Sequence, residues 1–359
     1  MVSPPHRAAS ELRSYNGAVP ERIRVGLIGC GFISHQHGPA WRASPDAQLV
    51  AVCDQDEARA RVRAAEWGVE RVYADAAEMI ERERLDAVDI VTRPETHSGL
   101  VRLAAERGVH VLCQKPLAPS FEEARGMVEA CERAGVRFMV AEMWRHLPWF
   151  RDLKRQLEAG GVGEPYHLRV VGARRALSRE RPVHPNQPYF ADMPKLIVYE
   201  MMIHWIDPAR YLLGEIGTVY ARMKRVNPAI AGEDWALVVL GHATGATSQL
   251  DGSWANDAEP PGATREGDVV VEGTDGVLHF APLARELRLT RLGGATSVVA
   301  RYPDMVESFQ SAFNSCIGDF ASAVRTGREF ESSARDNLKT LAATFAAYDS
   351  ARTAEVVRL

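Results

Sequence analysis

The chain has 359 residues, 46% hydrophobic and 25% charged, with a formal net charge of −4 and a pI near 6.3. Such a chain is long enough for two globular domains, and it lacks the basic field that draws nucleic acid or an anionic membrane surface. No apolar run reaches the length of a membrane-spanning helix, and residues 1–21 have no apolar signal-peptide core, so they read as a flexible leader.

From residue 22 to 147 the pattern alternates between β-branched runs and helix-like segments. "IRVGLI" (23–28), "LVAVC" (49–53), "AVDIVT" (87–92), "VHVLC" (109–113) and "VRFMVA" (136–141) read as buried strands. "EARARVRAAEWG", "SGLVRLAAERG" and "FEEARGMVEACERAG" between them read as helices, some closing on glycine. This alternation predicts a Rossmann-type, doubly wound parallel sheet with right-handed crossovers. From 148 to 359 successive strands without intervening helices predict an α+β domain with a large, mostly antiparallel sheet. Its strands are "EPYHLRVVGARRA", "GTVYARMKRV", "WALVVLGHATGATSQLDGSWA", "GDVVVEGTDGVLHFA" and "RELRLTRL", followed by two amphipathic helices near the C-terminus. The stretch 173–194 has little periodicity and reads as a long functional loop.

Five cysteines, Cys30, Cys53, Cys113, Cys131 and Cys316, form no CxxC pair, and an odd count argues against a disulfide framework. Free buried thiols, no zinc site and a cytoplasmic address are expected.

Chemistry enters at "VGLIGCGFIS". Gly29, Gly31 and Ser34 follow the first strand in the spacing of a dinucleotide-binding turn. The first glycine permits the tight turn, the second lets backbone approach a pyrophosphate, and the loop residues Phe32 and Ile33 lead into the helix. Asp54 ends the second strand-like run, at the place of a ribose-binding acid; Gln55 rather than Arg follows it, which favours NAD over NADP. Thr92, Pro94 and His97 in "VTRPETH", and Gln114 and Lys115 in "CQKPL", follow later strands. Ligands gather at carboxyl ends of parallel strands, so these residues are candidates for the cofactor crevice. The "VTRPETH" residues could equally cap the next helix.

"LIVYEMMIHWID" (196–207) carries Glu200 and His204 four residues apart in an apolar segment. On an α-helix they share a face, and burying both is costly unless they pair or serve a site. Asp207 extends that face into a lookalike of a metal site, and "HQH" at 35–37 is a second one. No metal is expected at either.

Together, "GLIGCGFIS", "AVCDQD", "VTRPETH", "VLCQKPLAPS", "WRHLPWF", the "HWID" helix and the final "TGREFESS…TAEVVRL" segment resemble the Gfo/Idh/MocA family of NAD(P)-dependent oxidoreductases. The resemblance covers nearly everything after Glu21. It implies hydride transfer between a secondary hydroxyl of a sugar, cyclitol or glycoside and nicotinamide, with NAD as cofactor. It also implies a homodimer or homotetramer through the C-terminal sheet, and a site between the two domains. The family's Glu-Lys-Pro looks like Gln114-Lys115-Pro116, and its Asp-x-x-x-His looks like Glu200 and His204. Lys115, His204 and Glu200 are thereby implied as catalytic, with His204 accepting the hydroxyl proton. Gln114 and Glu200 depart from the family's residues, by a lost charge and by an added methylene. Arg145, His184, Asn186, Gln187, Tyr189 and Trp254 are candidate substrate contacts, since flat aromatic faces and polar side chains suit a sugar ring. Alternatives are a redox-neutral glycoside-cleaving enzyme that regenerates NAD in place, and a non-catalytic dinucleotide or sugar sensor.

Overall fold

The computed structural model describes residues 21–173, 184, 186–255, 264 and 266–359. Most of the leader 1–21 and much of the loop 173–194 therefore lie outside the described residues. The chain forms two compact units. One runs to Met143 and adds Phe313–Leu338; the other comprises Trp144–Ala312 and Lys339–Leu359.

In the first unit the elements are β1 (Ile23–Ile28), α1 (Ser34–Ala43), β2 (Ala47–Cys53), α2 (Glu57–Trp67), β3 (Arg71–Tyr73), α3 (Ala76–Glu83), β4 (Ala87–Ile90), α4 (Pro94–Glu106), β5 (His110–Gln114), α5 (Phe121–Arg133) and β6 (Phe138–Ala141). The six strands are all parallel, in the order β3-β2-β1-β4-β5-β6. That order reverses direction beside β1, which opens a crevice at the carboxyl ends of the central strands. Local chemistry fixes the ends of the helices. Asp56, Asp75 and Ser120 accept the first-turn N–H groups of α2, α3 and α5, and Gly68 takes the left-handed conformation that stops α2. Strand β4 ends at Ile90, two residues short of the expected 92.

The second unit is built on a nine-stranded sheet. Its elements are α6 (Pro148–Glu158), β7 (Pro165–Ala173), α7 (Ile203–Leu213), β8 (Ile216–Lys224), β9 (Trp235–His242), β10 (Thr247–Ser253), β11 (Asp268–Gly273), β12 (Gly276–Ala281), β13 (Glu286–Arg291) and β14 (Thr296–Arg301). Helices α8 (Met305–Thr326) and α9 (Ala334–Thr353), each divided between the two units, and the short β15 (Val357–Arg358) follow in the chain. The sheet order is β14-β13-β12-β11-β7-β10-β9-β8-β15, antiparallel throughout except where β7 lies parallel to β10. Burial alternates along β9: Ala236, Val238 and Leu240 are buried, whereas Trp235, Leu237 and Val239 are partly exposed. One face of the sheet thus carries core and the other remains open. All five cysteines are buried and free.

The segment that carries Glu200 is not a regular α-helix. Ile197–Met202 forms a π-helix that runs into α7. A buried acid starts it. Glu233 Oε1 accepts the N–H groups of Leu196 at 3.0 Å and Val198 at 3.2 Å, and the Tyr348 hydroxyl at 2.6 Å. Burial pushes the Glu233 carboxyl up, while these three donors pull it back down. Because a π-turn is wider than an α-turn, a four-residue spacing across Met202 no longer guarantees one shared face. The sequence expectation of Glu200 and His204 stacked along a single α-helix is corrected on this point.

Candidate active site

The cofactor candidates converge at the carboxyl ends of β1, β2, β4 and β5. The turn after β1 is shaped by backbone demands. Gly29 has φ +102°, and a Cβ there would lie 2.6 Å from the Val91 carbonyl oxygen, so only glycine fits. A Cβ on Gly31 would meet nothing within 4 Å, which leaves open space beside the backbone. No side-chain oxygen caps α1 at Ile33, and the Ser34 hydroxyl turns back to the Gly31 carbonyl at 2.6 Å. An uncapped helix N-terminus beside an open glycine fits a dinucleotide pyrophosphate. Phe32 stands half exposed on the same turn.

Asp54, the candidate ribose acid, follows β2 and is held by two backbone donors. Its Oδ2 accepts the Cys30 N–H at 2.7 Å and its Oδ1 the Asp56 N–H at 2.9 Å. The flanking thiols of Cys30 and Cys53 are pushed up to about 12, chiefly by burial, so they stay protonated and inert. Sequence reasoning missed Arg59, one turn into α2, whose guanidinium lies 3.7 Å from Asp54 and 3.2 Å from Asp56. An acid at this place repels a 2′-phosphate, and a nearby arginine accommodates one. Asp54→Ser should therefore tighten NADP binding relative to NAD by at least about tenfold, as like-charge contacts cost several kcal/mol. Titration calorimetry with both cofactors checks this; an unchanged ratio would count against Asp54 as the ribose acid.

Pro94 occupies the first turn of α4, and the Thr96 hydroxyl donates to Thr92 Oγ1 at 2.7 Å. His97 is fully buried, with Nδ1 3.0 Å from the Leu117 carbonyl and Nε2 3.2 Å from the Thr92 carbonyl. It ties the loop after β4 to the loop after β5, and burial holds its basicity below the ordinary histidine value. Lys115 follows β5 half-buried, joined to Pro116 by a cis peptide bond, and its N–H donates to Gln114 Oε1 at 2.8 Å.

In the second unit His204 is buried on α7, its ring stacked on Trp144 with centroids 4.9 Å apart and planes 18° from parallel. Glu200 is partly exposed in the π-helical turn. Asp207 is fully buried and takes Arg145 in a two-pronged contact, Nε to Oδ2 at 2.8 Å and Nη2 to Oδ1 at 2.6 Å. Thr340 adds a third donor to Asp207 Oδ1 at 3.1 Å. Arg145 is thus engaged with an acid of its own unit, as is the turn that carries Trp144.

The remaining substrate candidates gather around Phe190, which sequence reasoning had not singled out. Trp254 stacks on it at 5.7 Å, His184 lies against it at 5.5 Å, and Tyr189 meets it edge-on at 5.0 Å. Gln187 donates to the Tyr189 hydroxyl at 3.0 Å, and the Asn186 N–H donates to His184 Nδ1 at 3.3 Å. Trp254 and His184 are buried, whereas Asn186 is exposed. Among the described residues no group of three His, Cys, Asp or Glu side chains is gathered to hold a metal. A cavity of about 300 Å³ in the first unit is lined by Cys131, Arg137, Phe330, Arg335 and neighbours, none of them a candidate site residue.

A parallel sheet of this order with this glycine turn defines a dinucleotide-binding fold. Family comparison agrees: the NAD-binding Rossmann-fold model of the oxidoreductase family matches residues 23–142, and the GFO/IDH/MocA C-terminal domain matches residues 150–279. The chain belongs to the Gfo/Idh/MocA family. It is similar to the D-apiose dehydrogenase of Paraburkholderia graminis, 39% identical over 98% of this chain and 93% of that protein. It is also similar to the scyllo-inositol 2-dehydrogenase (NAD(+)) of Bacillus subtilis, 30% identical over 86% of this chain and 87% of that protein. A crystal structure of an oxidoreductase from Agrobacterium radiobacter in complex with NAD+, L-tartaric acid and magnesium has a TM-score of 0.86 at 34% identity, covering 94% of this chain and 98% of that one. The protein is an NAD-dependent oxidoreductase of a family of sugar and cyclitol dehydrogenases. No helix among the described residues is long and apolar enough to cross a membrane.

Proposed function

We propose that this enzyme oxidises a secondary hydroxyl of a polyhydroxylated sugar, with D-apiose the first substrate to test. The observation that carries the substrate class is the 39% identity to a D-apiose dehydrogenase across nearly the whole of both chains. NAD, when bound, supplies the hydride acceptor; Gly29, Gly31, Phe32, Ile33, Asp54, Thr92, Pro94 and Gln114 would hold it. His97 supports that end of the sheet by fixing the Thr92 and Leu117 carbonyls.

The chain's own residues must orient the carbinol and remove its proton. In this reading His204 accepts the hydroxyl proton, since an imidazole suits that task near neutral pH. Its stacking on Trp144 restricts the ring, which favours one approach geometry. Lys115 donates to the reacting oxygen and stabilises the negative charge that develops there. Glu200 binds a neighbouring hydroxyl or orients His204. Asn186, Gln187 and Tyr189 supply further polar contacts to the sugar, with Trp254 and His184 backing them through Phe190. The half-exposed Leu237, Val239 and Val270 on the open sheet face support assembly with a second copy through that face.

The test is NADH absorbance with D-apiose, inositols, other monosaccharides and glycosides. NADH should accumulate in step with D-apiose consumed. Failure to turn over any of the panel, by protein that binds NAD, would overturn the reading. NADH released in stoichiometric amount excludes the redox-neutral glycoside-cleaving alternative.

A further inference from the structure

Beneath the cofactor end of the first sheet lies a buried polar chain that no motif announces. Asp89 is the one acid within β4, between Leu27 on β1 and Leu112 on β5, and it is fully buried. Its Oδ2 faces two ring nitrogens of α1, His37 Nδ1 at 2.7 Å and Trp41 Nε1 at 2.6 Å. His37, also fully buried, packs beside Phe313 and turns its Nε2 to Gln114 Nε2 at 2.8 Å. Gln114 Oε1 accepts the Lys115 N–H.

Donor and acceptor rules order every proton in this chain. Lys115 N–H can only donate, so the Gln114 oxygen must face it and the Gln114 NH₂ must face His37. That NH₂ can only donate, so His37 Nε2 carries a lone pair and the ring proton sits on Nδ1, pointing at Asp89. All the hydrogen bonds run in one direction and end on Asp89. Asp89 Oδ1 is buried with no partner among the described residues, which leaves Oδ2 to accept both donors. The buried thiol of Cys113 on β5 is held well above its usual range by burial and by Asp89.

We propose that Asp89, His37 and Gln114 form a positioning relay for Lys115, in which His37 stays neutral and Gln114 and His37 act as a matched pair. Glutamine at 114 calls for an imidazole lone pair at His37. A carboxylate there calls for a second ring proton, and His37 would then sit as imidazolium between two carboxylates. The total charge of the buried group would stay the same in both cases, at the gain of one proton. Glutamine thus replaces an acid without stranding charge. The relay rests on the reading of Lys115 as a catalytic residue, but its proton order does not.

The test uses the full-length protein with ¹⁵N-labelled histidine and lysine. Only five lysines are present, so the Lys115 amide is readily assigned, and the His37 signal is identified by its absence in His37→Gln. In the parent protein His37 should show a protonated Nδ1 and an unprotonated Nε2. Gln114→Glu should convert His37 to the doubly protonated form, because imidazole is more basic than a carboxylate. Gln114→Leu should remove the solvent-exchange protection of the Lys115 amide, and Gln114→Glu should keep it. With D-apiose, the Leu variant should lose up to about 100-fold in kcat, with most of it restored in the Glu variant. A parent His37 protonated on Nε2, a neutral His37 in the Glu variant, or a Lys115 amide unaffected in the Leu variant would each overturn the relay. If D-apiose is not a substrate, the functional reading fails, while the histidine and amide signals still decide the relay.

Discussion

Replacing His204 with glutamine should lower kcat for D-apiose oxidation by about 10²–10⁴-fold, the range in which a positioned general base contributes. Glutamine approximates the volume of the imidazole and can lie on the Trp144 ring, 4.9 Å from the His204 centroid, so packing changes little. It cannot take up the hydroxyl proton. NAD affinity should hold, because the candidates for cofactor binding all belong to the first unit. Stopped-flow NADH formation and cofactor titration on the same preparation separate the two effects. A variant with parental kcat would remove His204 from the chemistry.

The second large effect is expected at Asp207, and it falls on stability. Its carboxylate and the Arg145 guanidinium are both almost wholly withdrawn from water, with side chains 0% and 7% exposed. Removing one member of such a pair leaves the other charge buried, at a cost of about 3–5 kcal/mol. Asp207→Ala should show that loss in urea unfolding. The double replacement Arg145→Met with Asp207→Leu should regain most of it, since apolar residues of similar volume often serve a core equally well. Activity should not return with it. The pair anchors the Trp144–His146 turn against α7, and Trp144 is the surface on which His204 lies. Arg145→Met alone gives a further reading: a raised KM for D-apiose with stability unchanged would make Arg145 a substrate contact instead of an anchor.

Much of this arrangement can be read from the chain. Strand β1 falls at 23–28 as expected, because an unbroken apolar run followed by Gly29 leaves little choice. The placement of Asp54, Thr92 and Lys115 after β2, β4 and β5 follows from the same alternation. The three-residue β3 and the helix Ala76–Glu83 escaped notice, since "RVY" is too short to show a period. β14, with a mostly exposed face, gives no burial pattern either. The relay below Lys115 was hidden for a different reason. Its members come from α1, β4 and β5, and each alone is an ordinary polar residue. One signal was available: an acid inside the apolar "AVDI", and a histidine four residues before a tryptophan on the helix that covers it. The grouping of "HQH" as a metal lookalike obscured it, because His35 is exposed beside Arg63 whereas His37 points into the core. The π-helix was illegible because residue propensities do not distinguish an α-turn from a wider one.

That wide turn amounts to one surplus residue stored in front of His204. Each residue of an α-helix advances the direction of its side chain by about 100°. Deleting a single residue between Ile197 and Met202 would let the segment relax to α-helix without shortening α7. With Met201 the residue removed, everything upstream, Glu200 included, would then swing by about that angle around an unmoved His204. A deletion series through this segment gives access to site geometries that no substitution can reach, because it changes which side chains face the substrate without altering any of them.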